Sequence, residues 1–107
     1  MKSLNKPETD PIIIWFNGGP GCSSLLGFMN EHGPWVIEDD ATTVTKNDFP
    51  WIANASVIYL ESPAGVGFSP YKLETKYMIY NDMIQSEDAY AALREWYARF
   101  PEFGPGQ

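Results

Sequence analysis

The sequence predicts an α/β protein built on a parallel sheet, and three observations carry that prediction. Residues 11–16, Pro11-Ile12-Ile13-Ile14-Trp15-Phe16, form a continuous apolar run, β-branched and aromatic, with no alternation. Such a run reads as a strand buried on both faces. Val57-Ile58-Tyr59-Leu60 is a second run of the same kind, and both lead straight into glycine-proline loops. Finally, Ile79, Met83, Ser86, Tyr90, Leu93, Tyr97 and Phe100 are spaced 4, 3, 4, 3, 4, 3. That spacing is one face of a helix over 81–100, and its aromatic stripe is expected in the core.

The remaining segments follow in order. Residues 1–10 are polar and read as a loop or frayed end. After the first strand, Asn17-Gly18-Gly19-Pro20-Gly21-Cys22-Ser23-Ser24 places three glycines and a proline in four positions, which excludes helix or strand interior. Residues 25–31 can form a short helix, stopped by Gly33-Pro34. Residues 35–56 show no strong period, and Asp39-Asp40, Asn47-Asp48 and Pro50 mark turns. The second strand ends in the loop 61–70. Glu87, Asp88, Arg94, Glu95 and Arg99 fall largely off the apolar face of the long helix, and Pro101 ends it, followed by Gly104-Pro105-Gly106. The alternation implies that the two strands run parallel in one sheet, with both edges open. Two strands are too few to be stable alone. A right-handed crossover would lay the long helix over one sheet face, ready to lead into another strand.

Composition narrows the class. A chain of 107 residues is one domain at most, and 44% hydrophobic with 20% charged residues is a globular balance. Fourteen acidic against seven basic residues give a net charge of −7, a poor match for nucleic acid or an anionic membrane. No run approaches the roughly 20 apolar residues of a membrane span. The segment MKSLNKPETD has no apolar core of a secretory signal, so the expectation is a chain that stays inside the cell or lacks its true N-terminus. Cys22 is the single cysteine and allows no internal disulfide; His32 is the single histidine, so no metal-ligand cluster is expected.

In open α/β sheets, sites form at the C-terminal ends of the strands. The loop Asn17-Gly18-Gly19-Pro20-Gly21 stands at such an end. Glycines there let backbone N–H groups face a ligand uncovered, which is what an oxyanion requires. The plainer reading of a bare GGPG is a tight structural turn.

The longer stretch IIIWFNGGPGCSSLLGFMNEHGP resembles the signature of the serine carboxypeptidases, residue by residue from Trp15 through Leu25 and again at Gly27, Glu31, Gly33 and Pro34. Asn47, Trp51, the block VIYLESPAGVGFS at 57–69 and Phe-Pro-Glu at 100–102 resemble the same family. The resemblance implies that residues 1–107 are a partial α/β-hydrolase domain. It implies that Gly19 donates its backbone N–H to the oxyanion hole, and that Asn17, Gly18 and Glu31 help bind the C-terminal carboxylate of a peptide. It implies that Cys22 pairs with a cysteine elsewhere; within this chain the thiol is expected free and buried. The nucleophile motif G-E-S-Y-A-G is expected shortly after Gln107, because none of the seven serines lies in a G-x-S-x-G elbow. The triad serine, aspartate and histidine are then outside the chain, which alone is expected to be inactive.

His32 follows Glu31 in a position that varies within the family, and is expected to be a solvated surface side chain. Ser23 and Ser24 are expected to be structural and to cap the following helix. Trp15, Trp51 and Tyr59 are expected in the core. One departure stands out: Ala55-Ser56 occupies the place of the usual Ala-Asn. The implied reaction is release of C-terminal amino acids, with the peptide C-terminus and the remainder of the hydrolase domain as partners. The implied location is secretory, vacuolar or lysosomal. Two other readings share these motifs: an acyltransferase of the same fold, and a non-catalytic truncated or interaction polypeptide.

Overall fold

The computed structural model describes residues 1–70 and 81–104. In chain order the elements are β1 (Ile12–Trp15), α1 (Leu25–Asn30), β2 (Trp35–Ile37), β3 (Val44–Lys46), β4 (Ser56–Tyr59) and α2 (Asp82–Arg99). Single 3₁₀ turns stand at Trp51–Ala53 and Pro101–Phe103. The two apolar runs form strands as expected, and β1 and β4 are adjacent and parallel, with Ile12 opposite Ser56 and Trp15 opposite Tyr59. The four residues of β1 are half-buried rather than enclosed, because neither face of a two-stranded sheet is fully covered here.

The N-terminal residues are not a frayed end. The Met1 amine donates to the Val57 carbonyl at 2.8 Å, and the Val57 N–H donates back to the Met1 carbonyl at 2.9 Å. Leu4 N–H reaches the Ile52 carbonyl at 2.8 Å. The buried Ser56 hydroxyl accepts the Ser3 N–H at 3.0 Å, which gives the Ala55-Ser56 departure a local role. Asp10 then closes the polar stretch by accepting from the Ser3 hydroxyl (2.6 Å) and the Lys6 N–H (2.8 Å). Composition made this segment look loose; its polar groups instead satisfy the edge of β4. That leaves the outer edge of β1 without a strand partner among the described residues, one open edge where two were expected.

The aperiodic stretch after α1 contains an antiparallel hairpin, with Trp35 opposite Lys46 and Ile37 opposite Val44. Strands of three residues are too short to show a period, so sequence pattern could not reveal them. Asp40 builds the turn: its carboxylate accepts the Thr42 and Thr43 N–H groups at 2.8 and 2.7 Å. The Thr43 hydroxyl and these amides hold its carboxyl down at a pKa of about 2.

Helix α2 begins as expected, with the Asn81 side chain accepting the Ile84 N–H at 3.0 Å, Asp82 in the first turn and Arg99 in the last. Its buried face is not the expected stripe. Met83 is 71% and Tyr90 65% exposed, Ser86 and Phe100 are exposed too, and Ile79 lies outside the described residues. Ala89 is the buried residue, flanked by half-buried Gln85, Leu93 and Trp96. Apolar residues occupy more than one side of this helix, and spacing alone does not rank which side meets the sheet. Met83 and Tyr90 face away.

The buried apolar set is small: Ile52, Ala55, Val57, Val66 and Ala89. The chain is a slab, 43 × 43 × 19 Å, with a radius of gyration of 15.5 Å. A compact domain of this length has about 13 Å. A thin core and a bare strand edge beside an apolar run favour association over cooperative folding. The 107-residue chain alone is expected to unfold over a broad, non-cooperative range and to aggregate. A sharp, reversible melt of the monomer by circular dichroism would contradict this.

Candidate functional site

Because β1 and β4 run parallel, Trp15 and Tyr59 end at the same sheet edge and both glycine-containing loops emerge together. The buried Ser24 hydroxyl, 1% exposed, ties them. It donates to the Leu60 carbonyl at 2.5 Å and accepts the Asn17 N–H at 3.1 Å. This bond closes the loop 17–24 on itself, and the Cys22 N–H closes a tighter turn on the Gly18 carbonyl at 3.3 Å. Gly19 lies within that turn at φ +130°, and a Cβ there would stand 3.1 Å from the Cys22 nitrogen and sulfur. Gly18 and Gly19 are exposed, and their N–H groups have no acceptor among the described residues.

A second tie comes from Glu61, at the start of the loop after β4. One carboxylate oxygen accepts the Ser23 hydroxyl (2.7 Å) and the Ser24 N–H (2.8 Å). The other accepts the Phe68 N–H at 3.0 Å. Burial raises the Glu61 pKa, but the bonds from Ser23, Phe68, Ser24 and Leu25 outweigh it and leave the group below its ordinary value. Glu61 therefore serves the orphan N–H groups at the start of α1 from outside the helix. The expected capping by the serines is only partly met: Ser23 Oγ accepts the Leu25 N–H at 3.2 Å, while the Ser24 side chain makes no cap bond and spans the strand ends instead. Glu61 stood inside a recognised motif, yet nothing in its spacing signalled this contact, which joins residues 37 and 38 positions apart.

Asn17 is oriented by its neighbour. The Trp15 indole N–H donates to Asn17 Oδ1 at 3.2 Å. An indole can only donate, so the carboxamide oxygen is turned to Trp15 and its NH₂ group is left for another acceptor. Glu31 lies exposed at the end of α1, and its N–H returns to the Gly27 carbonyl. Its carboxylate makes no hydrogen bond among the described residues, and none joins Asn17 to Glu31.

A family model described as serine carboxypeptidase matches residues 1–105. The chain belongs to the serine carboxypeptidase family. It is 46% identical over 103 residues to the lysosomal protective protein of Mus musculus, covering 96% of this chain and 21% of that protein. Serine carboxypeptidase-like 33 of Arabidopsis thaliana is 40% identical over 98 residues, covering 91% and 20%. Among solved structures, a prohormone-processing carboxypeptidase from Saccharomyces cerevisiae superposes with a TM-score of 0.75 at 30% identity, over 95% of this chain and 22% of that one. The chain thus spans about a fifth of the length of these relatives. Its parallel strand pair with flanking helices is part of an α/β-hydrolase fold.

Two expectations for this serine carboxypeptidase segment are corrected. His32 is not a surface side chain; it is 6% exposed. Its ring stacks on Trp51 at 4.0 Å and lies near-parallel to Tyr59 at 5.6 Å, with Trp15 edge-on at 4.4 Å. Nδ1 meets the Tyr59 hydroxyl at 3.1 Å, and Nε2 has no partner among the described residues. The three aromatic residues were expected in the core, and Trp15 and Tyr59 are half-buried there; Trp51 keeps an exposed side while covering the imidazole. A single polar residue beside Glu31 carried no sign that three distant aromatic side chains would enclose it. Gly27 makes the box possible, since a Cβ there would stand 2.4 Å from Trp15 Nε1 and 3.1 Å from His32 Nε2. Cys22 is free as expected, but exposed rather than buried, because it sits in the loop and not behind it.

A groove of about 640 Å³ lies at the opposite end of β1 between Pro7, Asp10, Ile12, Arg94 and Tyr97. It has no nucleophile and no glycine loop. A recess of about 180 Å³ between Pro20, Gly21, Pro63, Asn81 and Gln85 adjoins the candidate site and joins both loops to the start of α2.

Burial lowers the His32 pKa from 6.5, partly countered by the charge of Glu31. The folded box therefore holds a neutral imidazole, while the unfolded chain takes up a proton near pH 6.5. The stability this histidine supplies is complete above 6.5 and is lost as pH falls through that value toward the lower folded pKa. A suitable carrier is a graft in which residues 1–105 replace the matching segment of the mouse relative. Between pH 7 and 5 the graft is expected to lose thermal stability relative to its His32→Phe variant. Parallel melting curves for the two across that range would contradict the assignment.

Proposed function

We propose that this chain is the oxyanion-loop segment of a serine-dependent carboxypeptidase, a partial hydrolase domain that completes its active site with the rest of a longer protein. The observation that carries the reading is Gly19: an exposed amide without an acceptor among the described residues, at the C-terminal end of β1, in a loop tied down by Ser24 and Glu61. A donor fixed before the reaction stabilises charge that develops only in the transition state, and costs no reorganisation when it forms. In the proposed reaction a serine outside this segment attacks the peptide carbonyl, and an acyl-enzyme forms and is hydrolysed through tetrahedral oxyanions. Gly19 N–H is one of two donors to that oxyanion. Asn17, Gly18 and Glu31 form part of the clamp on the substrate's C-terminal carboxylate, with the Asn17 NH₂ as a donor that Trp15 has already aimed. Cys22, exposed on the loop, is available to a cysteine elsewhere in the protein. The compartment proposed is lysosomal, vacuolar or secretory.

The chain contributes no base and no nucleophile to this scheme. His32 is enclosed by aromatic rings, Ser24 is buried with both its hydrogen-bonding roles in use, and Ser23 is bonded to a carboxylate. A Ser–His pair within hydrogen-bond reach is what nucleophilic catalysis needs.

The graft on the mouse relative tests the reading. It is expected to release the C-terminal residue from a blocked dipeptide, whereas the 107-residue chain releases none and takes up no active-site serine reagent. A folded but inactive graft, or stoichiometric labelling of Ser23 or Ser24, would sink the proposal. Within the graft, Asn17→Ala removes a donor to a charged group and should weaken binding of a free-carboxylate peptide by about 1–3 kcal/mol. The corresponding amide, which has no carboxylate to bind, should keep its KM. An equal effect on both substrates would assign Asn17 to the scaffold.

A further inference from the structure

We propose that Glu61 is the positioning residue of the oxyanion loop, acting at a distance on the Gly19 amide; the inference rests on the carboxypeptidase reading above. Four observations converge on it. The exit of the loop, Ser23 and Ser24, is held by one Glu61 oxygen through both a hydroxyl and an amide. The entry, Asn17, is bonded to the Ser24 hydroxyl, so whatever fixes Ser24 fixes both ends of the turn that contains Gly19. The other Glu61 oxygen takes the Phe68 N–H, which braces the carboxylate against the second loop. Finally, a Cβ on Gly67 would stand 1.2 Å from that oxygen, so the second loop leaves room for a carboxylate and nothing more. The donors that surround Glu61 come from the exit of the glycine loop, from the first residue of α1 and from its own loop.

The chemistry explains why this position uses a carboxylate. Every neighbour of the Glu61 head group donates a hydrogen bond. An ionised carboxylate accepts on both oxygens, whereas an amide of the same shape must turn its NH₂ group against one set of donors. Glu61→Gln therefore releases either the Ser23–Ser24 side or the Phe68 side while conserving volume. Gly67→Ala reaches the same end from the opposite side, by pushing the carboxylate out of its seat. Ser23→Ala is milder: it deletes one donor and leaves the carboxylate in place.

The effect of such a residue is on the transition state. The Gly19 N–H binds the oxyanion and not the ground-state peptide, so loosening it lowers kcat while the carboxylate clamp keeps KM. The three variants are made in the graft on the mouse relative, and kcat and KM are measured on a blocked dipeptide together with hydrogen exchange of the peptide spanning 17–25. Glu61→Gln and Gly67→Ala are each expected to lower kcat by about tenfold, less than the roughly hundredfold loss of an oxyanion donor itself. KM should stay within about twofold, as uniform binding is untouched. Exchange across 17–25 should quicken in both. Ser23→Ala is expected to show the same pattern at lower amplitude, and it decides the matter if the other two do not fold. An unchanged kcat in an active graft, or KM rising in step with the fall in kcat, overturns the role. An inactive parent graft sinks the carboxypeptidase reading instead, and Glu61 is then judged by exchange alone: unchanged exchange across 17–25 refutes it.

Discussion

The hydroxyl of Ser24 is the constraint on which the rest of this structure depends. Two parallel strands ending together leave backbone groups at one edge that the ladder no longer serves, and a buried polar group left unpaired costs about 1–3 kcal/mol. Ser24 answers this with one oxygen. It gives its proton to Leu60 on the β4 side and takes the Asn17 N–H on the β1 side. The loop from Asn17 to Ser24 must then bulge outward between two fixed ends, which puts Gly18 and Gly19 in solvent. A side chain without a hydroxyl at this position would leave both strand ends unsatisfied and the glycine turn without a base.

The fold was legible where the signal was long. Apolar runs of four to six residues announced β1 and β4, and the parallel pairing followed from strand-helix alternation. The hairpin β2–β3 was invisible because three-residue strands have no measurable period, and its turn rests on one aspartate and two threonines rather than on glycine. The N-terminal segment looked loose because its residues are polar. What binds it is its main chain: the terminal amine and carbonyl of Met1 and the Ser3 N–H meet Val57 and Ser56, and side-chain polarity does not report such bonds. In α2 the length was legible and the buried side only in part: Leu93 and Tyr97 of the expected stripe are half-buried, whereas Met83 and Tyr90 are exposed and Ala89 is buried.

The candidate site divides in the same way. Gly19 and Asn17 stood out only through the longer family motif, since the glycine turn by itself reads equally as a tight structural turn. Glu61 and His32 did not stand out, because each acquires its role from residues far along the chain. Glu61 meets an α1 start that precedes it by nearly 40 positions, and His32 stacks on Trp51 and meets the Tyr59 hydroxyl. Burial also changes what His32 is. A histidine with a raised solvation cost and a stacked ring behaves as a neutral aromatic filler, and its pH response becomes one of stability rather than of catalysis.

Gly27 shows how such an arrangement limits the sequences that can inherit it. Glycine inside a helix is roughly 1 kcal/mol worse than alanine, so drift alone would favour replacement. Here the missing methyl group is the space occupied by the Trp15 indole edge and the His32 ring. An alanine at 27 would shift the indole, and the indole holds the carboxamide of Asn17. Positions 15, 17, 27 and 32 therefore form one heritable unit: a lineage that enlarges residue 27 must re-engineer the tryptophan and histidine in the same step, or surrender control over which end of the asparagine faces outward.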